Sequence, residues 1–154
     1  MALQAGDKAP DFKLENTTGD TIQLSSSLKG QACIIYFYPK DFTPGCTKEA
    51  CSFRDNFDFF QELDIRVIGI STDNKSSHQK FKAKYQLPFD LLSDTTGHVS
   101  KAYQALIPFL NVSKRITYLL DSDHIIRGVY SDLFGYEAHI RAMIAAIKSA
   151  DQKK

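Results

Sequence analysis

Apolar and polar residues alternate from Asp11 to Leu24 around the turn-forming Thr17-Thr18-Gly19-Asp20, a pattern that predicts a β-hairpin. Ala32 to Tyr38 is instead a continuous apolar, β-rich run between Gly30 and Pro39, as in a strand covered on both faces. A similar strand is expected at Ile65 to Ile70. Between the two, Ala50, Phe53, Phe57 and Phe60 recur at spacings of three and four and define one buried helix face. Four residues before Ala50 stands Cys46, so its thiol opens the inward stripe and is expected to point toward protein. Asp73 to Tyr85 reads as a further helix, capped by Asp73 or Asn74 and stopped before Pro88, with a short strand near Phe89 to Leu92. Gly97 to Ala105 predicts a short helix, and Pro108 keeps the apolar Leu106 to Leu110 segment out of it. Ile116 to Leu120 and Ile125 to Tyr130 read as strands joined by Asp121 to His124, and Tyr136, Ile140, Met143, Ile144 and Ile147 mark the buried side of a last helix. The order, a hairpin, then strand-helix-strand-helix, then strand-strand-helix, predicts an α/β protein with a mixed central sheet flanked by helices.

Composition narrows the function classes. A chain of 154 residues, 43% hydrophobic and 24% charged, with no repeat or linker, is expected to form a single domain over residues 1–154. Nineteen basic residues against 18 acidic leave a formal +1, which argues against nucleic acid or an anionic membrane as main partner. The longest apolar run, Ala32 to Tyr38, is far below the roughly 18 residues of a membrane span, so a soluble protein is expected. Met1 to Lys8 has no basic segment leading into an apolar stretch, and the location expected is cytoplasmic, with an organelle left open where a transit peptide has been removed. Three cysteines are too few for a secreted disulfide scaffold and direct attention to thiol reactivity.

Cys33 lies inside the apolar strand and reads as an inert buried thiol. Cys46 differs, because Thr43 suits a helix N-cap and Pro44 the first helical position, which puts Cys46 third in the helix. Unpaired backbone N–H groups and the positive end of the helix dipole there favour thiolate over thiol. An ordinary helix start that happens to hold cysteine fits as well, until Cys51 is considered. A sulfenic acid formed on one sulfur needs a second thiol to return it to the reduced state. On an intact helix, residues five apart have Cα atoms about 8 to 9 Å from each other, beyond the disulfide limit of about 7 Å. Bridging Cys46 to Cys51 therefore requires the first turns to unwind.

Pro39-x-x-x-Thr43-x-x-Cys46 resembles the signature of peroxiredoxins, and Tyr38 to Cys51 as a whole resembles the bacterioferritin comigratory protein, or peroxiredoxin Q, branch. The resemblance runs from Gly6-Asp7-Lys8-Ala9-Pro10-Asp11-Phe12 to the last helix and implies a thioredoxin-like fold and a thiol peroxidase acting on hydrogen peroxide and organic hydroperoxides. It implies Cys46 as the peroxidatic sulfur and Cys51 as the resolving one, joined in an intramolecular disulfide. Arg115, in Arg115-Ile116-Thr117-Tyr118-Leu119-Leu120-Asp121, is by resemblance the arginine that faces that sulfur. Thr43 would offer its hydroxyl, Pro39 would shield the site, and the backbone N–H groups of Gly45 and Cys46 would face the peroxide oxygens. The implied electron donor is thioredoxin, and in some members glutaredoxin. No metal, flavin or haem is implied, and the protein is expected to be a monomer or weak dimer.

The same residues admit other readings. Cys46 and Cys51 as zinc ligands are disfavoured, since no second cysteine pair exists and His78, His98, His124 and His139 are scattered. A disulfide reductase normally uses Cys-x-x-Cys, which is absent. A redox sensor or chaperone-like binding protein without sustained turnover stays as the alternative. By period and its neighbour Lys48, Glu49 reads as exposed charge complementing the helix dipole, with a role in positioning Arg115 suggested by resemblance alone. Lys40 and Asp41 are left without a catalytic role. The Leu106 to Leu110 segment is expected to pack on the core rather than shape peroxide preference or dock a partner.

Overall fold

The computed structural model describes residues 2–131, 140 and 142–147. Its centre is β3 (Cys33–Phe37), whose five residues are all buried because both faces of the strand are covered. Alternation along the strand divides the core in two. Cys33, Ile35 and Phe37 face one cluster with Phe12, Ile70, Tyr103 and Tyr118. Ile34, Tyr36 and Tyr38 face the other, with Cys46, Ala50, Phe53, Phe81 and Leu91.

The sheet has seven strands in the order β2-β1-β5-β4-β3-β6-β7. The hairpin predicted at the N-terminus is β1 (Lys13–Glu15) and β2 (Thr21–Gln23), paired antiparallel, and it closes one edge by pairing Glu15 with Ser93. Leu24 leaves the hairpin and starts the short α1 (Leu24–Ser27), which the alternating pattern conceals because its Leu24 is buried like a strand residue. The parallel middle of the sheet comprises β3, β4 (Arg66–Ser71) and β5 (Asp90–Ser93). Antiparallel β6 (Ile116–Leu120) and β7 (Ile126–Ser131) complete the mixed, thioredoxin-like sheet predicted from the element order.

The helix expected to carry Ala50 through Phe60 is two helices, α2 (Pro44–Asp55) and α3 (Phe57–Glu62). Asn56 interrupts them at φ −105° and ψ 10°, and its side-chain amide donates to Ser52 O at 2.8 Å, taking up a carbonyl near the end of α2. Phe60 stays buried, whereas Phe57 is displaced to a half-buried position. The helix after β4 is α4 (Lys75–Tyr85), with Asn74 as the cap that accepts from Ser77 N and Gln86 in the left-handed region at φ 52° to end it before Pro88. α5 (His98–Ala102) is the short helix before Pro108. Residues 140 and 142–147 are helical, with Ile140, Met143 and Ile147 buried, and Tyr136 lies outside the described residues.

The apolar segment from Leu106 to Leu110 does not pack on the core. Ile107 N donates to Val112 O and Leu110 N to Ile107 O, closing a tight turn that projects Phe109 and Leu110 into solvent at 106% and 59% exposure. Among the described residues no helix is long and apolar enough to cross a membrane.

Candidate active site

Strand register explains how residues 69 positions apart meet. β3 and β6 pair Phe37 with Ile116, so Arg115 lies beside Tyr38, at the carboxyl end of β3 where the chain turns into α2. Thr43 is the N-cap of α2 and Pro44 begins the helix, which places Gly45 second and Cys46 third, as the sequence predicts. Cys46 is 1% exposed and belongs to the α2 side of the core, so its sulfur does point inward. Arg115 Nη2 donates to Cys46 Sγ at 3.3 Å. Gly45 allows this approach, because a Cβ built there would lie 3.0 Å from Nη2.

The other terminal nitrogen, Nη1, donates to Glu49 Oε1 at 2.8 Å in an ion pair with both side chains buried. Glu49 is therefore not surface charge. Its spacing of three from Cys46 and four from Phe53 places it on the inward stripe, and that spacing was the available signal. Burial pushes the Glu49 carboxyl up to about 7, against the opposing pull of Arg115. Its Oε2 and the Arg115 Nε are buried without a hydrogen-bond partner among the described residues. Tyr36 stacks on Phe53 at 4.6 Å beneath the site, and burial, then the charges of Glu49 and Cys46, hold its phenol well above the usual range.

The elevated Glu49 value has a consequence for stability. A carboxyl whose folded value exceeds its unfolded value binds its proton more tightly in the folded state, so folding is penalised as that proton leaves. The penalty accumulates between about pH 4.5 and about pH 7 and is constant above. Glu49→Gln is expected to flatten this part of the stability profile; urea unfolding of both proteins across that range checks it, and parallel profiles would refute it.

Thr43 occupies the cap position without capping: its Oγ1 donates to Lys40 O at 2.8 Å. Thr47 N is bonded to Thr43 O, and the preceding N–H groups of Gly45 and Cys46 have no acceptor within the helix. Pro39 is half-buried at the end of β3. Cys51 is half-buried on the same intact helix, and Cys33, Cys46 and Cys51 are all free thiols. Cys33 is fully buried and its thiol is pushed up to about 12 by desolvation. Tyr38, Asp41, Asp73 and His78 form a second polar group beside the loop, which the sequence reading missed because its members are 40 positions apart at most and carry no motif.

A buried sulfur gripped by a guanidinium at a helix N-terminus of a thioredoxin-like sheet defines a thiol-dependent oxidoreductase. Residues 5–129 match the AhpC/TSA family. The chloroplastic peroxiredoxin Q of Oryza sativa subsp. japonica is 41% identical over 148 residues, covering 96% of this chain and 68% of that protein. Peroxiredoxin Bcp of Bacillus subtilis is 43% identical over 129 residues, 80% of this chain and 82% of that one. Among solved structures, peroxidoxin BcpB from Mycobacterium tuberculosis superposes with a TM-score of 0.90 at 35% identity, covering 96% of this chain and 97% of its own. The bacterioferritin comigratory protein of Xanthomonas campestris, described in a study of its alkyl peroxide reduction activity, gives 0.84 at 27% identity, covering 96% and 99%. The chain belongs to the AhpC/TSA family and within it to the peroxiredoxin Q and Bcp branch, a family of thiol peroxidases.

Proposed function

We propose that this chain reduces hydrogen peroxide and organic hydroperoxides with Cys46 as the peroxidatic and Cys51 as the resolving cysteine. The observation that carries the reading is the 3.3 Å contact between Arg115 Nη2 and the buried Cys46 sulfur. The Cys46 thiolate attacks one peroxide oxygen in line, the O–O bond breaks, and a proton joins the departing oxygen to release water or an alcohol. Sulfur is oxidised to sulfenic acid and the peroxide is reduced by two electrons. Negative charge develops on the peroxide oxygens at this step, and the Gly45 and Cys46 N–H groups together with Arg115 are the donors available to stabilise it. The Thr43 hydroxyl, with its hydrogen held by Lys40 O, keeps its oxygen lone pairs for a peroxide O–H. Pro39, half-buried just after β3, is the residue assigned to limit water at the sulfur.

Cys51 then attacks the sulfenic acid, expelling water and leaving a Cys46–Cys51 disulfide. Both sulfurs lie on α2, so its first turns must unwind. Unwinding is expected to stop at Phe53, which is fully buried and contributes about 1.5–3 kcal/mol of apolar burial. A dithiol protein, thioredoxin or in its place glutaredoxin, restores both thiols by exchange. The low cysteine count and the chloroplastic and bacterial relatives support a reducing compartment, the cytoplasm or an organelle.

Thioredoxin-coupled turnover with intact mass of the oxidised protein tests the reading. Cys51→Ser is expected to consume one equivalent of peroxide and stop, with Cys46 trapped as a higher oxide or mixed disulfide. Full cycling of that variant with thioredoxin would remove Cys51 from the resolving role.

A further inference from the structure

Asp41 lies five residues before Cys46, in the loop joining β3 to α2, and is buried. Its carboxylate accepts from Tyr38 Oη at 2.6 Å and from Ser77 Oγ at 2.8 Å, and meets His78 Nδ1 at 2.7 Å. His78 is fully buried on α4, with Nε2 3.0 Å from Leu92 O. A carbonyl only accepts, so Nε2 carries a hydrogen and the imidazole bridges β5 to the loop. The Asp41 backbone N–H donates to Asp73 Oδ2 at 2.8 Å, and Ser71 Oγ donates to the same oxygen. The carboxyl ends of β3, β4 and β5 and the start of α4 thus converge on one loop residue.

The next residue is pinned as well. Phe42 is in the left-handed region at φ 67°, an arrangement that costs a bulky residue free energy, and its ring packs edge-on against Phe81 of α4 at 5.1 Å. Only Thr43, Pro44 and Gly45 separate this anchored pair from the reactive sulfur. Asp41, Asp73 and His78 present ligand atoms within 4.8 Å of one another, but the Asp41 oxygens and Asp73 Oδ2 already accept from protein donors, which makes the group a hydrogen-bonded clasp rather than a cation site.

We propose that the Asp41–His78 clasp is a positioning device that holds the Cys46 loop closed on Arg115, favouring attack on peroxide at the expense of transfer to Cys51. Resolution requires α2 to unwind. If the clasp breaks on unwinding, its hydrogen bonds are lost from the open state; if it holds, it restricts the freedom of the unwound segment. Either way it stabilises the closed state relative to the open one. Loosening it therefore moves the two chemical steps in opposite directions, which general damage to the fold does not do. The inference rests on the two-cysteine reading above.

Quenched-flow mass analysis of Cys46 oxidation and of disulfide closure, each timed separately, tests it in Asp41→Ala, His78→Leu, His78→Asn and Ser77→Ala. Asp41→Ala and His78→Leu are expected to slow oxidation and speed closure, each by roughly five- to thirtyfold, and to leave less hyperoxidised Cys46 at high peroxide. His78→Asn, whose side-chain amide can still hydrogen-bond the Asp41 carboxyl, is expected to lie nearer wild type than His78→Leu. Ser77→Ala removes one donor without disturbing the ring, and is expected to give the same split at smaller size even where the larger changes prevent folding. Both rates falling together, or neither changing, in a folded variant would overturn the proposal. Wild type separates this outcome from failure of the underlying reading. If it forms no Cys46–Cys51 disulfide, the two-cysteine cycle is wrong, while slower oxidation in Asp41→Ala would still uphold the positioning role.

Discussion

Cys46→Ser is expected to lose peroxide turnover by on the order of 10⁴-fold or more, to the level of the uncatalysed reaction. The substitution removes one polarisable sulfur and leaves a hydroxyl that stays protonated at neutral pH, so Arg115 keeps a hydrogen-bond acceptor but the site has no nucleophile. The variant is expected to remain folded, since the 1% exposed site loses little volume and the Arg115–Glu49 pair is untouched. Loss of thioredoxin-coupled peroxide consumption with a near wild-type melting temperature is the predicted pair of results. Appreciable turnover by folded Cys46→Ser would place the chemistry on another residue.

The second large effect is expected at Arg115. Arg115→Leu removes the donor 3.3 Å from the sulfur and the one 2.8 Å from Glu49, and is expected to cost about 10²- to 10³-fold in the rate of Cys46 oxidation. Lysine cannot replace it fully, because one ammonium lacks the fork that serves sulfur and carboxylate together. Arg115→Lys is therefore expected to fall between Leu and wild type. Arg115→Leu also strands Glu49 in the core, where it is expected to take up a proton rather than remain charged, and Glu49→Gln added to it should restore stability without restoring rate. Stopped-flow competition kinetics and urea unfolding of the single and double variants check both parts; wild-type oxidation rates in Arg115→Leu would refute the assignment.

The sheet and most helices could be read from periodicity because each lies on the core with a regular face: the continuous apolar Ala32 to Tyr38 became the central strand, and the cap and stop around Lys75–Tyr85 were correctly marked. Phe57 misled because its spacing continues the stripe across Asn56, where side-chain bonding to Ser52 O ends the helix. The place of Cys46 as third residue of its helix was legible from Thr43 and Pro44, whereas its reading as a nucleophile needed Cys51 as well. Arg115 was not, since only strand register brings it to the sulfur, and resemblance supplied what periodicity lacked. Glu49 was misplaced because the period was judged from the apolar residues and Lys48 beside it, while its spacing of three from Cys46 and four from Phe53 puts it inward. Asp41 and His78 were missed for a different reason: a polar core depends on pairings between distant segments, which leave no period in the chain.

The depth of Cys33 also has a bearing on selectivity. Its sulfur is sealed in the opposite half of the core, where desolvation pushes the thiol up to about 12, so it is expected to stay silent toward oxidant and disulfide alike while the protein stays folded. Three thiols permit three pairings on paper, and the burial of Cys33 disfavours the two that involve it, leaving the Cys46–Cys51 pairing proposed above, which needs α2 to unwind. Oxidative scrambling should accordingly begin only when the sheet itself opens, and alkylation of Cys33 would report that moment.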